Sequence, residues 1–131
     1  MKIKSIAILY SVFILGLIFV ADQGYYDNIL RQVHAIPYGD KVGHFFLMGV
    51  LAWIINLGLH GAQFHWGNIH ILKGSLLVFT FVTLEEISQY YFPNRHFDFG
   101  DLLADYLGIY LFGQLALWQI QRQQRLATKV E

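Results

Sequence analysis

The sequence predicts an all-α, polytopic membrane protein: a single domain over residues 1–131, folded as a bundle of four transmembrane helices with a short interfacial helix on the outer side. Two observations lead to this prediction. Residues of the AVILMFWYC set make up 56% of the chain and charged residues only 14%, whereas roughly 25% of a typical soluble domain is charged. The mean hydropathy is +0.44, which a small water-soluble protein with so much surface could hardly sustain.

The first two predicted spans are long uncharged runs. Residues 5–21 carry no charged side chain and follow two lysines. The residues just before Asp22 lack the small-x-small pattern of a signal-peptide cleavage site, which favours a retained helix over a removed leader. Residues 42–59 form a second run, long enough to cross a hydrocarbon core of ~30 Å. A loop is predicted after it, because residues 60–70 are rich in Gly and His.

The third and fourth predicted spans, residues 74–92 and 102–120, differ from the first two because acids interrupt them. Glu85 and Glu86 lie in the third span, and Asp105 lies in the fourth. A charge at mid-membrane costs at least ~2.5–3.5 kcal/mol, so such residues face a partner, a water-filled pocket or the interior of a bundle. These two spans therefore predict polar side chains inside the bundle.

The connection between the first two spans and the distribution of basic residues complete the predicted topology. Residues 22–39 place apolar side chains at helical spacing and break before Pro37, which predicts the interfacial helix on the outer leaflet. Cytoplasmic segments retain Lys and Arg, and six of the nine share the side of the two termini. A multi-pass protein of the bacterial cytoplasmic (inner) membrane is predicted, with both termini cytoplasmic. The six are Lys2, Lys4, Lys73, Arg122, Arg125 and Lys129.

Composition also excludes classes of partner and site. Nine Lys and Arg balance nine Asp and Glu, so no basic field favours nucleic acid. The absence of cysteine excludes disulfides, zinc-thiolate sites and cysteine nucleophiles. His60, His65 and His70 are five residues apart, which matches neither a helix face nor a common zinc signature, so no metal site is predicted. The sequence leaves the cofactor and the oligomeric state open.

Polar residues gather at the outer ends of the last three predicted spans. On each helix they lie three or four residues apart and share one face, as Asp40 and His44 do, or Asp101 and Asp105. Three such faces at one depth predict a polar pocket that opens outward. Its candidate residues are Asp40, Lys41, His44, Glu86, Gln89, Arg95, Asp101 and Asp105.

The order of these residues resembles that of a known family. Residues 40–45, DKVGHF, are similar to the D-K-x-x-H-F motif of VanZ-like membrane proteins. Glu86 and Gln89, with Arg95 six residues on and Asp101 six further, resemble the E-x-x-Q, R and D pattern of that family. In that family an asparagine commonly lies four residues after this aspartate, and a glycine lies seven residues after it. In this chain Asp105 and Gly108 occupy those two positions. The resemblance covers roughly residues 40–108 and implies a small helical membrane protein of the group named for teicoplanin resistance.

The first predicted function is binding. A pocket with both signs of charge, an amide and an imidazole suits an anionic or sugar-like head group, from a membrane lipid or a lipid-linked envelope component. Lys41 and Arg95 would bind the anion, while the carboxylates and Gln89 would accept or donate hydrogen bonds to hydroxyls and amides.

Two other functions remain open at this point. The same pocket could belong to an intramembrane hydrolase or transferase, with His44 or Glu86 as general base and Arg95 stabilising an oxyanion. The carboxylates and His44 could then also hold a divalent cation. Alternatively, the charged residues only tie helices together in a structural or partner-binding subunit.

Overall fold

A computed structural model describes residues 2–22, 32, 39–93 and 97–130 of the chain. These residues form four helices and one antiparallel hairpin of two strands. The helices are α1 (Ile3–Asp22), α2 (Gly39–Gly58), α3 (Lys73–Gln89) and α4 (Phe99–Val130), and the strands are β1 (Gln63–Trp66) and β2 (Ile69–Leu72). The predicted helical fold is confirmed, and the hairpin is an addition to it.

Two of the four helices are long and apolar enough to cross a membrane, by length and composition: α1 over Ile3–Val20 and α2 over Gly39–Gly58. They match the first two predicted spans closely. α3 covers most of the third predicted span and α4 covers all of the fourth. α3 has only 17 residues and α4 is less apolar than α1 and α2, so the passage of both through a membrane stays a prediction. The predicted interfacial helix falls on residues 22–39, nearly all of which lie outside the described residues.

The core forms where α2 packs against the other helices, most extensively against α4. Helical spacing puts small and branched side chains on the inward faces, and the outward faces keep large exposed apolar side chains, as expected for a bundle in lipid. The buried core consists of Ile14, Met48, Leu51, Ala52, Val78, Val82, Leu102 and Ile109.

A glycine sets the distance between α2 and α4. A Cβ atom at Gly108 would collide with the backbone carbonyl oxygen of Phe45 on α2. Gly113 lies in a similar position, because a Cβ there would be 2.6 Å from Ser75 Oγ on α3. Small residues allow helix backbones to approach closely in membranes. Gly43, by contrast, has nothing within 4 Å of such a Cβ atom.

The segment predicted as a loop between the second and third spans contains the hairpin, which corrects that prediction. The strands pair from Gln63 with Leu72 to Trp66 with Ile69. Gly67 begins the two-residue turn with φ +62°, a left-handed conformation that glycine adopts without steric cost. Side chains of alternating polarity flank this turn, and they stabilise strands rather than an irregular loop.

The topology can be checked with single cysteines, because the native chain has none. We expect Asn94→Cys to react with a membrane-impermeant maleimide in intact cells. Asn68→Cys, in the turn of the hairpin, should react only after the membrane is permeabilised, since the basic residues predict a cytoplasmic position. The reverse pattern would show the opposite orientation, and labelling of both sites in intact cells would contradict the one predicted span between them, residues 74–92.

Candidate functional site

One end of the bundle brings together polar side chains from three helices. α2 begins there, α3 ends there, and α4 begins there, so residues far apart in sequence come into contact. Spacings of three and four residues put the polar groups of each helix on one face. Nine side chains, called the polar cluster below, form this region: Asp40, Lys41, His44, Glu85, Glu86, Gln89, Asp98, Asp101 and Asp105.

The imidazole of His44 lies between two carboxylates of α4. Its Nδ1 is 3.0 Å from Asp105 Oδ1, and its Nε2 is 3.6 Å from Asp101 Oδ2. Asp101 and Asp105 are one helical turn apart, which is why both reach the same ring. The Asp105 side chain is only 1% exposed, and burial of a carboxylate is costly unless it has a polar partner. Among the described residues, His44 is the main partner of Asp105.

Lys41 is surrounded by acids. Its Nζ lies 3.1 Å from Asp98 Oδ2, 3.4 Å from Asp101 Oδ1 and 3.6 Å from Asp40 Oδ2. Asp98 also caps α4, because its Oδ1 accepts the backbone N–H of Gly100 at 2.7 Å. The Lys41 ammonium, followed by this N–H, lowers the pKa of the Asp98 carboxyl below its usual range. Lys41 therefore already forms ion pairs with three carboxylates.

Glu86 is fully buried, and neutral groups hold it in place. Its Oε1 accepts the backbone N–H of Asp98 at 2.9 Å, and its Oε2 accepts a hydrogen bond from Gln89 Nε2 at 3.2 Å. Gln89 Nε2 also lies 3.0 Å from each oxygen of Glu85. Arg95, the partner expected from the sequence, lies outside the described residues.

The polar cluster is acidic. Six of its nine side chains are carboxylates, and only one lysine, one imidazole and one amide accompany them. Because the lysine already contacts three of the acids, this part of the chain presents hydrogen-bond acceptors rather than free cations. Such a surface favours ligands with hydroxyl, amino or metal-ion groups over a simple anion.

Two groups within the polar cluster could hold a metal ion. Ligand atoms of His44, Glu86 and Asp105 all lie within 4.8 Å of one another, and so do those of Asp40, Asp98 and Asp101. Oxygen-rich sets of this kind suit Mg²⁺, Mn²⁺ or Ca²⁺ better than soft metals. The first group, with its nitrogen ligand and two buried carboxylates, is the better enclosed of the two.

Seven of the eight candidate residues named from the sequence meet in this region, and the eighth, Arg95, is outside the described residues. The eight candidates did not include Glu85 or Asp98, which also belong to the polar cluster. The signal for Asp98 was available, because aspartate directly before a helix commonly caps it and then lies level with that helix's first turn. The pairing with Lys41 on another helix has no local signal.

The comparison with protein families fits the extent of this fold. The family model described as VanZ/LLP1 matches residues 6–119. That range contains most of all four helices, the hairpin and every member of the polar cluster. No curated protein and no solved structure matches the chain.

Proposed function

The chain belongs to the VanZ/LLP1 family, and we propose that its polar cluster binds the polar head group of a lipid-linked envelope component at the outer face of the bacterial cytoplasmic membrane. The observation that supports this proposal most directly is the convergence of three buried carboxylates on one imidazole: Glu86, Asp101 and Asp105 around His44. Buried acids are costly in a bundle interior, and function is a common reason for them.

The chemistry of the polar cluster narrows the head group. Carboxylate oxygens accept hydrogen bonds from hydroxyl and amino groups, and the amide oxygen of Gln89 can do the same, whereas its N–H groups already donate to Glu85 and Glu86. A sugar or amino sugar offers all of these groups. Lys41 is engaged by acids, so an attached phosphate would depend on Arg95, which follows α3 in sequence. We therefore assign the sugar-like part of the ligand to the described residues.

Asp101→Asn tests this proposal, because the amide keeps the shape of the side chain and removes its charge. The probe is a synthetic lipid with an N-acetylglucosamine head group, titrated into the full chain in detergent, with a phosphate-only lipid as the comparison. We expect Asp101→Asn to weaken binding of the sugar lipid at least about tenfold, since charged hydrogen bonds contribute ~1.5–3 kcal/mol.

Asp105→Asn is the matched control on the same helix. Its amide oxygen can still accept a hydrogen bond from His44 Nδ1, and the family commonly has asparagine here, so we expect binding to fall less than for Asp101→Asn. Unchanged affinity in Asp101→Asn, together with lowered thermal stability, would instead support the structural alternative. Equal affinity for the two lipids would reject sugar recognition.

A second function, catalysis, is favoured by the His44–Asp105 contact of 3.0 Å. A carboxylate at Nδ1 fixes the tautomer, as in hydrolases that pair histidine with aspartate. Nε2 lies 3.6 Å from Asp101 Oδ2, so it would act as a base once a bound substrate displaces that carboxylate. If this function applies, the sugar lipid will be turned over in the presence of divalent cations. His44→Gln should then abolish turnover while binding persists. Binding without turnover under all cation conditions would leave the first function as the better proposal.

A further inference from the structure

The hairpin has one apolar face and one polar face, and the apolar face points away from the protein. Antiparallel pairing places Phe64 opposite Ile71 and Trp66 opposite Ile69. Because side chains alternate along a strand, these four share a face, called the apolar hairpin face below. All four side chains are exposed, and 84% of the surface of Trp66 is accessible to solvent. On the opposite face Leu72 is buried against the bundle.

The position of the hairpin places this face at a membrane boundary. The hairpin joins the end of α2, a helix that could span a membrane, to the start of α3. It therefore lies at the end of the bundle opposite the polar cluster. A Cβ at Gly61 would lie 3.1 Å from the Ile120 side chain, which sets the hairpin level with the last turns of the predicted fourth span. Tryptophan is enriched at this depth of membrane proteins.

Basic side chains accompany the exposed aromatic rings at this end. Lys73 Nζ lies 4.9 Å from the centre of the Phe64 ring. On α4, Arg122 lies 5.4 Å from the ring of Trp118, which is itself exposed. Aromatic rings next to Lys or Arg match the boundary between acyl chains and phosphates, because the rings take the apolar side and the cations the anionic side.

We propose that the apolar hairpin face binds the surface of the lipid bilayer, with Phe64, Trp66, Ile69 and Ile71 among the acyl chains nearest the head groups and Lys73 beside anionic phosphates. Two arguments select lipid over a protein partner. The hairpin connects α2 and α3, both of which expose large apolar side chains, and its neighbouring charges are basic, which complements anionic lipids. A two-stranded hairpin is marginal in water, so the bilayer also stabilises it.

The experiment uses the full chain in lipid nanodiscs, and the absence of native cysteine makes single labels possible. Ile69→Cys and His65→Cys place the same environment-sensitive fluorophore on opposite faces of the hairpin. We expect lipids with brominated acyl chains to quench the label at residue 69 at least about threefold more than the label at residue 65, as for an interfacial apolar face. Aqueous iodide should give the reverse order. If Ile69→Cys fails to fold, Phe64→Cys labels the same face.

Lipid charge gives a second measurement. Exchange of zwitterionic phosphatidylcholine for a mixture with phosphatidylglycerol should increase quenching at residue 69, and Lys73→Gln should remove that increase. Strong iodide quenching at residue 69 would show that the face lies in water and overturn the proposal. Protection from both quenchers would show that protein covers it, a second copy or another chain, and would also overturn the proposal.

Discussion

Replacement of Gly108 by alanine is expected to destabilise the protein by about 3 kcal/mol, because overpacking that moves backbone lies at the upper end of such costs. The new Cβ would collide with the carbonyl oxygen of Phe45, which belongs to the backbone of α2. No side-chain rotation relieves this contact, so the two helices must separate. The measurement is thermal unfolding in a single detergent, followed by circular dichroism.

Gly43→Ala is the matched control for this prediction. It makes the same chemical change in a helix, but a Cβ there has nothing within 4 Å. Alanine is a better helix former than glycine by up to ~1 kcal/mol, so this variant should be as stable as the parent or slightly more stable. Similar destabilisation by the two substitutions would show that the α2–α4 distance is not set by Gly108.

Substitution of His44 by leucine is expected to cost about 3 kcal/mol of stability, since it leaves the carboxylate of Asp105 buried without its partner. This estimate is at the low end for a broken buried pair, because His44 keeps 21% of its side chain exposed. The pair His44→Leu with Asp105→Leu should recover much of the loss, because it removes the stranded charge and keeps apolar volume.

The comparison of the single and double variants forms a mutant cycle. Asp105→Leu alone supplies the fourth corner and should cost less than His44→Leu, because the imidazole left behind is partly exposed and can be neutral. Additive losses in the double variant would show that the two side chains do not interact, contrary to their 3.0 Å contact.

Most of the fold could be predicted because hydropathy and helical spacing are local properties of the chain. The predicted spans 5–21, 42–59 and 74–92 agree with α1, α2 and α3 to within a few residues. The fourth span ended at residue 120, whereas α4 continues to Val130. Hydropathy reports where a chain would leave the membrane, but Gln, Arg, Leu and Ala continue a helix well beyond that point.

The hairpin was not predicted because its glycine and histidines indicated a loop, and the weaker signal of alternating apolar residues was not used. Phe64 and Trp66 alternate with polar residues before Gly67, and Ile69 and Ile71 alternate with His70 after Asn68. Apolar alternation on both sides of a two-residue turn is a hairpin signature even when the strands have only four residues.

The polar cluster could be predicted as a set but not as a network of partners. Spacing placed Asp40 with His44, and Asp101 with Asp105, on shared helix faces. The contacts between side chains on different helices depend on how far one helix is displaced along another. Sequence spacing contains no information on this displacement. In the structure, His44 on α2 contacts Asp105 on α4, and Lys41 donates a hydrogen bond to Asp98. Spacing alone did not identify Asp98 as a member of the site.

The length of α4 has a mechanical consequence. Its 32 residues extend about 48 Å at 1.5 Å per residue, against a hydrocarbon core of ~30 Å. One unbroken rod therefore carries Asp101 and Asp105 at one end and Arg125 and Lys129 at the other. Because the helix is continuous, a displacement of its basic end is transmitted along its axis to its acidic end. A force on the basic end would then change the distance between the two acids and His44.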